Sequence, residues 1–408
     1  MVYFFYYLPV GINAKLRKLP ISTWAYAGMC VLVFVLYRYF SARVPFEFER
    51  LAYFPAEGTW VTAVTAAFFH TGYFHLIGNL IFLVLFGRYV EDRMGGALFS
   101  TIFVACAGLG NVAQGIFNTY VLHSPYVGIV GASGAVSGLL GAFMVRFLTN
   151  KLQIAYWVFM PLQAYTRGGK AQIPVIFALG LWFLMEFTRG LLQASGFGSQ
   201  VAYVAHLSGF LWGAAIAIAA GQFTEGRVES LFRRAGDHVR KGEPYAAQGD
   251  YIEYLAYRPG DADAHAGLAR AMVLTGNRSG ARENYREACE LLIDGKRRGE
   301  CETVYQEAIR GTEDFALRAE YQLGLAFGLE RDLKPRLAVH AYETFAAKYP
   351  NHAESAFALL RAAGIELNTF SDSEAADRLY ERLLDNYPTD VWADFTREQR
   401  RRLSVERA

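Results

Sequence analysis

Six runs of largely apolar residues crowd the first half of this 408-residue chain, at about 22–40, 74–90, 97–117, 127–148, 173–193 and 201–221. A helix needs about 20 mostly apolar residues to cross a bilayer, and each run approaches or meets that length. Beyond about residue 222 no such run recurs and charged residues arrive every few positions. The chain therefore divides into a cytoplasmic N-terminal segment, 1–21, a six-span membrane domain, 22–222, and a cytoplasmic soluble domain, 223–408. The expected class is all-α.

Lysines and arginines in the short connections set the orientation. Lys15, Arg17 and Lys18 precede the first span, Arg88 and Arg93 flank the turn after the second, Arg146, Lys151, Arg167 and Lys170 surround the connection after the fourth, and Arg227, Arg233 and Arg234 follow the sixth. The connection after the third span has no basic residue. Both termini are thus expected in the cytoplasm, with the chain multi-pass in the cell (inner) membrane. The exception is the connection 41–73, which carries Arg43 and Arg50 and is expected outside as a long, partly structured loop. The N-terminus places apolar residues before its basic cluster, the reverse of a signal peptide, so no cleavage is expected. A net charge of +2 gives no basic surface for nucleic acid. Cys30, Cys106, Cys289 and Cys301 show no CxxC-like pairing, which argues against a disulfide framework.

Polar residues inside the spans are costly and tend to face a protein interior or a water-filled cavity. His75 and Asn79, four apart, share a face near the outer end of span two. Ser133 lies near the outer end of span four, in "GIVGASGAVSGLLGA", and His206 a turn or so below the outer end of span six, in "AHLSGFLWG". All three sites fall at similar depth on one side. Glycine spacing brings spans four and six together: His206, Gly209 and Gly213 share one helix face, Gly209 and Gly213 form GxxxG, and Ser133, Ser137 and Gly141 share a face of span four. If those faces pack, His206 comes within hydrogen-bond reach of Ser133. A serine hydroxyl becomes a nucleophile when a base takes its proton, and a neutral imidazole does this near pH 7. The resulting oxyanion needs donors already in place, for which His75, the Asn79 amide and the Ser133 N–H are candidates.

Plainer readings stand beside this one. Gly131, Gly134 and their neighbours suit close packing of membrane helices without any chemistry. His70, His75 and His206 are also a conceivable metal set, although no HxxxH pair or third carboxylate accompanies them. Glu186 and Arg189, at i and i+3 on span five, read as a mutually neutralising pair, and Asn111 and Gln114 on span three as interhelical hydrogen-bonding residues.

Taken together, "HTGYFHLIGN", "GASG" and "AHLSGFLWG", in this order on spans two, four and six, resemble the HxxxxHxxxN, GxSG and AHxxGxxxG motifs of rhomboid intramembrane serine proteases. The resemblance covers about residues 50–222. It implies Ser133 as nucleophile, His206 as general base of a dyad without a carboxylate, His75 and Asn79 at the oxyanion hole, and His70 as an accessory histidine. It also implies no metal and no cofactor, and transmembrane proteins as substrates. "YVEDRMG" resembles a family segment in which Glu91 and Arg93 are structural partners. Two positions depart from the pattern: Val61 follows Trp60 where many members have Arg, and Ser137 stands where some have an aromatic residue that packs on the catalytic histidine.

The soluble domain repeats a small residue, an aromatic one turn on, and a closing position. Ala247, Tyr251 and Pro259, then Ala281, Tyr285 and Ala288, then Ala338, Tyr342 and Pro350, then Ala376, Tyr380 and Pro388 follow this order, and Ala247 to Ala281 is one 34-residue step. Ala269, Ala326 and Gly364 precede the later alanines, and "CETVYQEA" from Cys301 reads as a degenerate further unit. The pattern resembles tetratricopeptide repeats, whose stacked helix pairs form an α-solenoid; a generic helical bundle is the alternative. Such a surface suits a protein or peptide partner: a substrate, an adaptor or another copy of the chain. The function expected is intramembrane endopeptidase, the alternative a non-hydrolytic membrane client binder of the same shape.

Overall fold

The computed structural model describes residues 4–40, 51–160, 165–197 and 201–406. Arg43 and Arg50, on which part of the outer-loop expectation rests, lie outside the described residues. The chain forms two compact units, Met1–Ser230 and Leu231–Ala408.

The first unit begins with β1 (Phe4–Ile12), followed by α1 (Ile21–Phe40), α2 (Trp60–Thr65) with a 3-10 turn to Phe68, α3 (Tyr73–Phe82), a π turn (Leu83–Gly87) and α4 (Arg88–Tyr120). Then come α5 (Ser133–Arg146), β2 (Lys151–Met160), β3 (Tyr165–Pro174), α6 (Val175–Ala194), α7 (Tyr203–Ala219) and α8 (Gln222–Lys241), in which the unit ends. Each of the six expected spans contains an apolar helical segment. By length and apolarity alone, however, three stretches among the described residues qualify as membrane-crossing, or four when α7 and α8, bent by 71°, count as one. One of them, the 48-residue stretch Tyr73–Tyr120, breaks at Gly95, where φ is +80°. The chain doubles back there, and a side chain at Gly87 would meet the Phe99 ring at 3.1 Å.

Two elements depart from expectation for identifiable reasons. The fourth span is helical only from Ser133, and at about 1.5 Å per residue its 14 residues reach roughly 20 Å, short of a hydrocarbon core about 30 Å thick. Residues before it are extended and pinned: Tyr53 and Ile129 exchange backbone hydrogen bonds at 3.0 and 2.9 Å, and the Gly131 N–H donates to the Ala66 carbonyl at 2.9 Å. The second departure is a three-stranded antiparallel sheet in the order β1-β2-β3, with Phe4 opposite Phe159 and Lys151 opposite Pro174. The aromatic and β-branched residues of β1 and β2 favour strands, and Pro9 is accommodated where the register shifts between Pro9 and Gly11.

Helix ends in this unit are capped from elsewhere in the chain. Oε1 and Oε2 of Glu91 accept the N–H groups of Ser22 and Thr23 at 2.7 Å, placing a carboxylate at the N-terminus of α1. Asp92 accepts the Arg17 and Lys18 N–H groups, and Arg93 bonds Asp92, the Lys15 carbonyl and Glu229. Glu91 and Arg93 thus act through different partners. Glu229, on α8, also pairs with Arg146 at 2.7 Å and Arg17 at 2.9 Å.

The second unit is a succession of short helices: α9 (Pro244–Tyr257), α10 (Ala262–Leu274), α11 (Arg278–Asp294), α12 (Arg298–Gly311), α13 (Ala319–Arg331), α14 (Pro335–Lys348), α15 (Ser355–Phe370), α16 (Ser373–Asn386) and α17 (Ala393–Glu406). Consecutive helices pack as pairs, giving a tetratricopeptide-like α-solenoid. Ala247, Ala281, Ala338 and Ala376 are fully buried, and Tyr251, Tyr285, Tyr342 and Tyr380 nearly so. The Tyr251 ring occupies the place a Gly267 side chain would take. The stretch from Cys301 is α12, an extra helix that lengthens the interval between Ala281 and Ala338; its Cys301, Tyr305 and Ala308 are buried as in the regular units.

Candidate active site

The approach of α5 to α7 sets the site. A side chain on Gly209 would collide with the Gly134 carbonyl, one on Gly213 with the Gly138 carbonyl, and one on Gly141 with the Phe210 carbonyl, so the two backbones touch. Lipid supplies no hydrophobic force between helices, which leaves close packing of this kind to hold them. The contacting face of α5 is Gly134, Gly138 and Gly141, not the expected Ser133, Ser137 and Gly141, and Ser133 sits one position aside, at the first turn, with its side chain toward open space.

That space is a cleft of about 690 Å³ lined by His75, Gln114, Asn118, Ser133, Gln193 and His206 among others. Ser133, His206 and His75 therefore share one cavity although they come from α5, α7 and α3. The N–H groups of Ser133, Gly134 and Ala135, opening α5, have no intrahelical acceptor. They form a positive helix terminus next to the serine. Gly131, at φ +107°, is needed twice over: its backbone is left-handed, and a Cβ there would lie 2.5 Å from Cε1 of His75.

Asn79 and His70 stand behind the cleft instead of lining it. Nδ2 of Asn79 donates to the His75 carbonyl at 3.0 Å and lies 3.2 Å from Nε2 of His70. His70 is fully buried, and burial together with the neighbouring His75 holds it down to about 4, so it is neutral. Its Nδ1–H faces the Phe68 carbonyl at 3.4 Å, leaving Nε2 to accept from Asn79 and, at 3.4 Å, from the Ala132 N–H that leads into Ser133. The two residues thereby tie α3 to the start of α5, and the His70 and His75 rings meet edge to face at 5.1 Å.

Span three steadies the start of α7. Oε1 of Gln114 accepts the Val204 and Ala205 N–H groups at 3.0 and 3.2 Å, capping the helix that carries His206, and Asn111 donates to the Ala63 carbonyl at 2.7 Å. Both are interhelical bonds. Glu186 has a second partner beyond the one its spacing suggests: one oxygen takes Arg189 at 3.1 Å, as i, i+3 implies, and the other lies 2.6 Å from Nδ1 of His206. The signal in the sequence is position, since Glu186 lies in the C-terminal half of α6 and His206 in the N-terminal half of α7, the next helix. Among the described residues no group of three or more His, Cys, Asp or Glu is placed to hold a metal ion.

Comparison with known proteins agrees with this architecture. Residues 57–223 match the Rhomboid domain family. The rhomboid protein YdcA of Bacillus subtilis (strain 168) is 30% identical over 141 residues, 32% of this chain and 68% of that protein. The rhomboid protease GluP of the same organism is 35% identical over 96 residues, 24% of this chain and 18% of that one. RHOMBOID-like protein 1 of Arabidopsis thaliana is 29% identical over 149 residues, 36% and 31% of the two chains. Among solved structures, the chain aligns with YrrB, a TPR protein with an unusual peptide-binding site, at 15% identity and a TM-score of 0.21, over 41% of this chain and 90% of that one. A helical membrane unit with serine and histidine brought to one cleft by glycine-packed helices, matched by sequence over residues 57–223, makes this chain a member of the rhomboid family.

Proposed function

We propose that the chain is an active intramembrane serine endopeptidase that cuts transmembrane segments of membrane proteins near the outer face of the cell membrane. The observation that carries this reading is the shared cleft of Ser133, His206 and His75 at the N-terminus of a helix too short to cross the bilayer. The short helix lets water and a peptide bond meet a serine recessed below the surface. His206 Nε2 takes the proton of Ser133 Oγ as the Oγ–C bond forms, and the carbonyl oxygen becomes an oxyanion facing the Ser133 N–H and His75. The imidazolium returns that proton to the leaving amine as the C–N bond breaks. Water, deprotonated by the same imidazole, then hydrolyses the acyl-serine. Asn79 and His70 hold the oxyanion side in shape.

Orientation follows from the basic residues at the inner connections, with both termini in the cytoplasm. The division of labour is a catalytic domain to about residue 222 and a cytoplasmic repeat domain after it. The repeats select: they recruit a substrate, an adaptor or another copy of the chain.

Ser133→Ala and His206→Ala are each expected to abolish cleavage of a transmembrane test substrate while leaving the protein folded, and fluorophosphonate labelling of the wild type is expected to disappear in Ser133→Ala. Normal turnover by either folded variant would sink the assignment. A folded wild type that stays unlabelled would point instead to a non-hydrolytic client binder.

A further inference from the structure

Glu186 is 4% exposed, within a helix of apolar residues. Burying a carboxylate is costly unless it is paired and hydrogen-bonded. Arg189 alone would serve for pairing, yet it engages only Oε1 and its side chain is half exposed. Oε2 is committed to Nδ1 of His206 at 2.6 Å. Among the described residues the imidazole's ring contact is Tyr203, edge-on with ring centroids 6.4 Å apart, and Ser137, one turn below Ser133, carries no ring to stack on it. The ionisable groups near the ring are Glu186 and Arg189 from α6 and His75 from α3, while α4 contributes the uncharged Gln114 and α5 the Ser133 hydroxyl.

We propose that Glu186 is a positioning residue for His206, its carboxylate accepting the Nδ1–H so that Nε2 carries the lone pair and faces the serine. This role deepens the protease reading of the cleft and rests on it. The carboxylate keeps its charge throughout. The proton lost by Ser133 resides on Nε2 and passes to the leaving amine, while Glu186 stabilises the imidazolium that exists in between. The site is then a serine, a histidine and a glutamate drawn from three helices.

The test compares full-length wild type with Glu186→Gln, Glu186→Ala and Glu186→Asp for fluorophosphonate labelling rate, for kcat and KM on a transmembrane test substrate, and for Tm. Glu186→Gln and Glu186→Ala are expected to lower kcat and the labelling rate on the order of 100-fold with KM nearly unchanged. Glu186→Asp, which keeps the charge, recovers part of the loss, and the Tm of Glu186→Gln matches wild type. Equal rates in wild type and Glu186→Gln overturn the proposal; so does a loss that follows a fall in Tm across all three variants, which marks a packing role. Failure of the underlying reading has a different signature: the wild type is unlabelled, or Ser133→Ala keeps the label, and the positioning role falls with it.

Discussion

Where α5 meets α7, helices touch backbone to backbone through Gly134, Gly138, Gly209 and Gly213; in the repeats they meet through buried alanine and tyrosine side chains. The difference follows the solvent. In water, burying apolar side chains stabilises by about 25 cal/mol per Å², so a repeat helix gains from a bulky apolar face. In lipid that gain is absent, and contact distance and satisfied hydrogen bonds decide association. The polar groups follow the same division. Within the spans Asn79, Asn111, Gln114 and Glu186 each have named partners, whereas the salt bridges of the repeats, such as Arg270 with Glu307, lie largely on the surface.

The comparison breaks most visibly at its glycines. Gly213→Leu is expected to drive α7 off α5, removing fluorophosphonate labelling altogether and leaving little folded protein, since the obstacle is the Gly138 backbone and cannot yield. Ala338→Leu, an enlargement one carbon smaller at a fully buried repeat position, is expected to cost about 1–3 kcal/mol, read as a lower unfolding temperature of the repeats, with labelling at Ser133 intact. Loss of labelling in Ala338→Leu would mean that the two units do not act separately.

A smaller effect sharpens the role of the bonds behind the cleft. Asn79→Ala removes the donor shared by His75 and His70 and is expected to lower kcat/KM about tenfold to a hundredfold, in kcat more than in KM. An unchanged rate would make Asn79 a packing residue only.

The smallest effect concerns Glu229, beyond the last span. Burial would raise its carboxyl, but Arg146, Arg93 and Arg17 outweigh burial and hold it below the usual carboxylate range. A depressed carboxylate stabilises the fold above its unfolded value, about 4.3, and loses that contribution as pH falls through the folded value. The Tm gap between wild type and Glu229→Gln is therefore expected to stay constant from pH 8 to about 6 and to close below about pH 4. A gap that persists in acid would show that the ion pairs are not its cause. The same contacts place the safe end of a truncated core after Glu229: a chain ending near Gly226 would lose all three arginine pairs.

The membrane half was legible because its constraints are one-dimensional. Apolar length marks a candidate span, and glycine at i and i+4 marks the contact face of α7, which brings His206 and Ser133 to one cleft. Repeat spacing in the soluble half was legible for the same reason. Three things depended on the fold. The sheet pairs residues 4–12 with 151–160, a match across the whole bundle that no local pattern carries. The start of α5 at Ser133 depends on remote hydrogen bonds from Ala66 and Tyr53 that hold the preceding residues extended. The partners of polar side chains depend on which helices become neighbours: i, i+3 spacing correctly paired Glu186 with Arg189, but the second carboxylate oxygen finds His206 only once α6 and α7 lie side by side. Local spacing fixes what a side chain meets on its own helix, and packing alone decides what it meets on the next.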